Sequence, residues 1–225
     1  MSDDVASLFA ELGLSVISVL VLVFLALLFS CYVKIVTVLG MVRAGIGLGS
    51  LPAAFVTGGL ALALSFFVMF PQLRDSANAM DGVLKSKSVV TDRDRAQAVN
   101  AGVAKWKQFL EQHVHPDELH RFSGIATKLN QKAGAEVGEQ ESLEHSWQIL
   151  APAFLVSELK DAFRTGLSVF LPFLVIDLLA ATILVAVGLE RLNPSVVSFP
   201  LKVLLFVLVD GWALITTNLV ATYSS

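Results

Sequence analysis

The sequence predicts an all-α, membrane-inserted chain, with two apolar helical hairpins flanking a small helical domain. Three observations predict it. Of 225 residues, 55% are hydrophobic and only 16% are charged, against about 25% charged in an ordinary soluble domain; the mean hydropathy is +0.73. The charges are segregated along the chain. The polar middle carries apolar residues at helical spacing. This balance excludes a soluble enzyme domain, a disordered regulator and a low-complexity or collagen-like fibre. A net charge of −3 offers no basic surface to nucleic acid. The lone cysteine, Cys31, excludes an intrachain disulfide framework and any multi-cysteine zinc site.

Four apolar stretches follow one another in two pairs. Leu12–Val33 carries no charge; as a helix it measures roughly 33 Å, enough for a hydrocarbon core of about 30 Å. Ala44–Leu73 is likewise uncharged. Thr165–Leu189 is interrupted only by Asp177, and the stretch from Val203 to the end only by Asp210. Lys34 and Arg43 are expected to flank the turn of the first pair, and Arg191 and Lys202 that of the second. The domain organisation is therefore 1–73 for an N-terminal apolar hairpin, 74–153 for a polar helical domain and 154–225 for a C-terminal apolar hairpin. The basic turns place themselves on the cytoplasmic side. Both termini and the middle domain then face outward, which in a bacterial inner membrane is the periplasm. The first stretch lacks a basic n-region, is too long for an h-region and has no A-x-A site, so it reads as a retained helix.

The second stretch opens on Gly45, Gly47, Gly49 and Pro52 and continues through Gly58 and Gly59. Glycines at this density let helices approach closely in an apolar bundle, and Pro52 marks a helix start after an irregular turn. In the middle, Thr91 with Asp94 three residues on predicts a capped helix. Val99, Val103, Trp106 and Leu110 supply its stripe. A second helix is expected to open at Pro116-Asp117-Glu118, with Leu119, Phe122, Ala126 and Leu129 as its apolar face. Gly134–Ser142 reads as an exposed acidic loop. Further on, Glu158, Lys160, Asp161 and Arg164 share neighbouring helical turns. Pro172 is expected to break the third stretch, and Pro194 and Pro200 to frame the turn before the fourth.

Asp177 and Asp210 stand inside spanning-length runs, where an ionised carboxylate is disfavoured by several kcal/mol unless paired or wetted. Either they are proton-relay acids, or they pair with cations of a neighbouring helix or subunit; Lys34, Arg43, Lys160 and Lys202 could serve. The histidines (His113, His115, His120 and His145) lack metal-site spacing and read as surface residues. No nucleophile–base pair, phosphate loop or dinucleotide fingerprint is present. The chain is therefore not expected to be an enzyme or to bind a cofactor.

Leu150–Phe163 (LAPAFLVSELKDAF), Phe170–Leu179 (FLPFLVIDLL) and Phe199–Trp212 (FPLKVLLFVLVDGW) closely resemble the SctR/FliP family, core proteins of the type III secretion export apparatus. Lys34–Leu39 (KIVTVL), Arg43 and Leu51-Pro52 fit the same pattern. The likeness covers nearly the whole chain and is weakest in the middle. It implies a homopentamer joined to SctS/FliQ-type and SctT/FliR-type subunits in a cone-like complex, with an SctU/FlhB-like switch protein and inner rod or needle subunits as further partners. That complex is the entry portal for unfolded substrates. Its hairpins are largely lifted out of the bilayer plane. Lys34, Arg43, Glu158, Lys160, Asp161, Asp177, Lys202 and Asp210 then become candidates for intersubunit charge pairs.

One departure stands out. Family members commonly carry consecutive methionines, a deformable gasket, in the turn after the third stretch. Here Leu189, Glu190 and Arg191 occupy those positions. Either Glu190 and Arg191 of adjacent copies alternate in a salt-bridged ring, with Leu189 as its apolar step, or they solvate the turn and another subunit seals the pore. Flagellar members often carry a cleavable leader, which tilts the expectation toward an injectisome. A self-contained proton- or ion-coupled transporter is the rival from another class.

Overall fold

The computed structural model describes residues 15–21, 23–49, 51–85, 91–132 and 145–223, and among these every regular element is a helix. After a helical stretch, Ser15–Leu28, the helices are α1 (Tyr32–Ile46), α2 (Leu51–Lys85), α3 (Asp92–His113), α4 (Pro116–Lys132), α5 (Trp147–Ala186), α6 (Ser195–Leu208) and α7 (Gly211–Ala221).

The centre of the molecule is α1. Ile35, Val38, Leu39, Val42 and Ile46 are all buried; their spacing puts them on one face, and most of the other residues of the helix are half-buried. It packs chiefly along α5 and also touches α2 and α6. The two helices run parallel: Lys34 meets Asp161, Gly166 lies against Met41, and Gly45 against Phe170 and Phe173. A Cβ on Gly45 would come within 2.6 Å of the Phe173 ring, so glycine is what permits this approach.

The first turn is not where the flanking charges suggested. Residues 34–43 are continuous helix, and the chain instead bends by 71° between Ser15–Leu28 and α1. There Ser30 Oγ donates to the Leu27 carbonyl and accepts the Tyr32 N–H. The reversal that follows α1 is built on Gly47, whose φ of 100° is left-handed. The Leu48 N–H donates to the Arg43 carbonyl, and the Gly47 N–H to that of Ala44. This pairing satisfies the last carbonyls of a helix and requires a residue tolerant of positive φ.

Helix α2 runs on through Pro71, its 35 residues spanning about 52 Å. Pro52 lies in its first turn, as the sequence suggests. Its polar end carries α3, which folds back along it. The expected capping box of α3 is present: Thr91 Oγ1 accepts the Asp94 N–H and the Asp94 carboxylate accepts the Thr91 N–H. Leu110 is buried and Trp106 half-buried as expected, but the start of the stripe is shifted by one position: Val99 and Val103 are exposed, while Ala98 and Gly102 face inward, and Phe109 joins Leu110. The small residues win because they let α3 sit close to α2, with Met80 Sδ only 2.9 Å from where a Cβ on Gly102 would stand. Helix α4 opens at Pro116 as anticipated and lies on α5. Leu119, Phe122 and Ala126 are partly buried and Leu129 is exposed. The acidic loop expected at 134–142 lies outside the described residues.

The 40 residues of α5 measure about 60 Å. Pro172 does not break it. A proline in a long apolar helix is tolerated when neighbouring helices hold the freed backbone in place, and Phe170 and Phe173 clamp this turn against Gly45. Likewise Pro200 lies inside α6, and only Pro194 flanks the turn. The fourth stretch, by contrast, is interrupted: α6 and α7 meet at 60°, with Asp210 in the left-handed region at φ 48°. Among the described residues two helices, Ala53–Lys85 and Trp147–Ala186, are long and apolar enough to cross a membrane, and the number reaches four if each bent pair counts as one span. Helix α2 passes residue 74, and α5 passes residue 154, without interruption.

Candidate functional site

Two ionic clusters and one exposed turn hold the residues of interest. The first cluster grows from a single face of α5, where Ser157, Glu158 and Asp161 project from adjacent turns. Lys34 of α1, 2% exposed, places its Nζ 3.2 Å from Asp161 Oδ2 and 3.9 Å from Glu158 Oε1. His115, in the link between α3 and α4, sets Nε2 3.2 Å from the other Asp161 oxygen, and its backbone N–H donates to Ser157 Oγ at 3.0 Å. From the end of the chain, the Tyr223 hydroxyl donates to Glu158 Oε2. The Tyr223 ring lies under Lys34 Nζ at 4.9 Å from its centroid and against His113 and Phe109. Burial first, then the Glu158 charge, push the Tyr223 phenol up, so it remains a donor. One step outward, Lys160 Nζ donates to Glu118 Oε1, and Arg121 Nη1 lies 3.5 Å from the other oxygen. The Lys160 hydrogen bond holds the Glu118 carboxyl below its usual range. One buried lysine thus ties together α1, α5, the α3–α4 link and the C-terminal tyrosine.

The second cluster joins α5 to α6. Lys202 Nζ lies 2.6 Å from Asp177 Oδ2, and Ser198 Oγ donates to Oδ1 at 2.6 Å. Ser198 and Lys202 are four residues apart and so share a face of α6; both are buried. Short charge-assisted contacts of this kind fix geometry as well as charge. Arg43 stands apart in the last turn of α1, where its positive charge opposes the partial negative end of the helix. Its Nε and Nη1 are buried with no hydrogen-bond partner. Asp210 is exposed at the α6–α7 bend, before Gly211, whose Cβ would fall 2.3 Å from the Phe206 ring.

The turn between α5 and α6 is set by Gly188 at φ 76°. The Leu189 N–H donates to the Leu184 carbonyl at 2.8 Å, and the Gly188 N–H to that of Val185 at 3.0 Å. Leu189, Glu190 and Arg191 follow and are all exposed. Among the described residues neither Glu190 nor Arg191 makes an ion pair.

Of the residues singled out in sequence, the structure brings together Lys34 with Glu158 and Asp161, and Asp177 with Lys202. It does not join Arg43 or Asp210 to either group. Sequence reasoning missed Tyr223, Ser157, Ser198 and Glu118; it read His115 as a surface residue, which its 44% exposed side chain fits, but did not foresee its contact with Asp161. The spacing of Ser198 and Lys202 was a usable signal; nothing local marks Tyr223. Among the described residues no grouping of three or more His, Cys, Asp or Glu could hold a metal ion.

Comparison with known proteins gives one consistent result. The model of the FliP family matches residues 14–219. The hypersensitivity response secretion protein HrcR of Ralstonia nicotianae is 34% identical over 96% of this chain and 97% of its own length. The Yop proteins translocation protein R of Yersinia pestis is 37% identical over 85% of this chain and 86% of its own. The flagellar biosynthetic protein FliP of Bacillus subtilis is 34% identical over 88% and 84%. A family match over residues 14–219 and relatives 34–37% identical over most of their length agree: this chain is a member of the FliP family.

Proposed function

We propose that the chain is a core subunit of the type III secretion export gate, the entry portal through which unfolded secreted proteins pass the inner membrane, and the base on which the inner rod and needle are nucleated. Membership of the FliP family makes it an inner-membrane component of a type III export apparatus, a protein that works within a complex. The finer reading rests on one observation about its surface. Charges within the apolar helices are largely neutralised inside the chain, while long apolar faces are left open: Leu171, Leu174 and Leu178 on α5, and Val207 and Leu208 on α6, are all at least half exposed. Faces of this extent call for an apolar surrounding, and copies of the same chain together with SctS/FliQ-like and SctT/FliR-like subunits supply it.

In this reading the chain forms a homopentamer within a cone-like complex, with 74–153 as a helical domain on the periplasmic side. Further contacts fall to an SctU/FlhB-like switch protein and the inner rod or needle subunits. It performs no catalysis; it packs helices around a polypeptide path. Arg43 and Asp210, not joined to either cluster, are the residues of the charged set best placed to meet a neighbouring subunit. The relative HrcR, matched over 97% of its length, supports an injectisome, and the flagellar apparatus is the alternative within the same family.

A proton-coupled transporter would use Asp177 and Asp210 as relay acids, yet both oxygens of Asp177 are taken by Ser198 and Lys202, the arrangement of a fixed contact, which leaves Asp210 alone at the exposed bend. Native mass spectrometry after extraction in mild detergent separates the two. A mixed oligomer with two other small hydrophobic subunits is expected. A lone monomer or dimer that acidifies vesicles would overturn the proposal.

A further inference from the structure

Helix α7 packs mainly against α6 and α2. It buries Ile215 and Leu219 and leaves Trp212, Leu214, Thr217 and Asn218 exposed. Tyr223, two residues past its end, reaches three other helices at once. Its hydroxyl donates to Glu158 of α5, its ring lies under Lys34 of α1, and it meets Phe109 and His113 of α3 at 6.5 and 5.3 Å between ring centroids. At the opposite end of α7, Asp210 is the one non-glycine residue with positive φ among the described residues. Such a conformation is strained and persists only where the surroundings hold it. The helix is thus bent at one end and fastened by a single side chain at the other.

The fastening side chain answers a charge. Glu158 is 1% exposed. Lys34 donates to Asp161 and stands 3.9 Å from Glu158, outside hydrogen-bond range; His115 also turns to Asp161. Among the described residues the Tyr223 hydroxyl is therefore the only hydrogen-bond donor to Glu158. A buried carboxylate is often less favourable than an apolar residue of its size, and its best-attested use is to set a register or a switch. A hydrogen bond to an ionised acceptor is about twice as strong as a neutral one. The docked position of Tyr223 thus depends on the charge it meets.

We propose that α7 is a strap with two arrangements, hinged at Asp210 and latched by Tyr223 onto the charge of Glu158. Latched, it ties α1, α3 and α5 together through one phenol. When the hydroxyl or the charge is lost, the buried acid no longer selects the docked tyrosine, and α7 swings on its bend away from α2. The device belongs to the fold of a single chain and does not depend on the export-gate reading.

Nitroxide labels on Gln112→Cys of α3 and Asn218→Cys of α7, both exposed positions, read the strap by their separation. The full chain is used in detergent, in a Cys31→Ala background, and one narrow distance is expected. Tyr223→Phe keeps the ring and removes only the hydroxyl; Glu158→Gln keeps the shape and removes the charge. Each is expected to add a second, longer distance. The double variant should add no more than either alone, because both remove the same bond. Asp161→Asn is expected to keep the single distance, since it leaves the Tyr223–Glu158 bond in place and frees Lys34 for Glu158. Asp210→Ala, less tolerant of the left-handed region than aspartate, should raise the longer population of the Tyr223→Phe chain several-fold, and Asp210→Gly should not. Thermal unfolding checks that each variant is folded, and Tyr223→Phe, the milder change, carries the test if Glu158→Gln is not. A single distance in the folded Tyr223→Phe chain would overturn the strap. So would an Asp161→Asn chain that opens as far, because the cluster would then hold α7 by its packing as a whole and not through one bond.

Discussion

Truncating Lys202 leaves the Asp177 carboxylate with the Ser198 hydroxyl alone. Lys202 is buried, while the Asp177 side chain is 44% exposed, so the loss falls below the about 3–5 kcal/mol of a fully buried broken pair. Lys202→Met is expected to cost about 1–3 kcal/mol, read from unfolding in detergent, and Lys202→Met with Asp177→Asn should recover much of it, because no charge is then stranded. Equal losses in the single and double variants would show that the two side chains act separately. A second prediction concerns pH. The folded-state pKa of Glu118 is depressed, first by the Lys160 hydrogen bond. Its contribution is therefore complete above the ordinary carboxyl value of 4.5 and is lost as pH falls through the lower folded value. Spin labels on α4 and α5 should separate below that range, and Glu118→Gln should remove the dependence. Neither contact was legible in the sequence as a pair. Asp177 and Lys202 stood out as charges in apolar runs, but which cation meets which acid is decided by the crossing of α5 and α6, and no spacing encodes that. The Thr91–Asp94 box was legible because both partners lie within one turn.

The helices themselves were readable wherever the signal is local and misplaced wherever packing decides. The starts of α3 and α4 follow from their first residues. Pro172 and Pro200 argued for breaks, and neighbouring helices overrode them. Val99 and Val103 outrank Ala98 and Gly102 in hydrophobicity, yet closeness to α2 selects the smaller pair. The same logic separates two glycines of α1. Gly45 presses on Phe173 and Phe170, while Gly40 has nothing within 4 Å of a built Cβ. Gly40→Ala is expected to stabilise by about 0.5–1 kcal/mol through helix propensity. Gly45→Leu is expected to destabilise by about 1–3 kcal/mol through overpacking. Thermal unfolding in one detergent measures both, and the same sign at both positions would mean that the α1–α5 approach is looser than the structure has it.

At the scale of the whole molecule, the proposed gate needs a closure, and Leu189, Glu190 and Arg191 stand where the resemblance to the family implies methionines. Leu189, Glu190 and Arg191 are exposed at the tip of a turn held by the Gly188 cap, and neither charge makes an ion pair among the described residues. In the proposed pentamer five such turns converge, and adjacent acid and base can alternate. An isolated exposed pair is worth about 0–1 kcal/mol, whereas a closed network excludes water and strengthens each contact. Glu190→Ala with Arg191→Ala is therefore expected to raise resting ion leakage through the assembled gate, measured as conductance in cells that overproduce the complex. Exchanging the two charges (Glu190→Arg, Arg191→Glu) preserves alternation and should restore tightness, which simple solvation of the turn does not predict. Leakage unchanged in the alanine pair would assign the seal to another subunit and leave these charges the task of keeping an exposed turn wet.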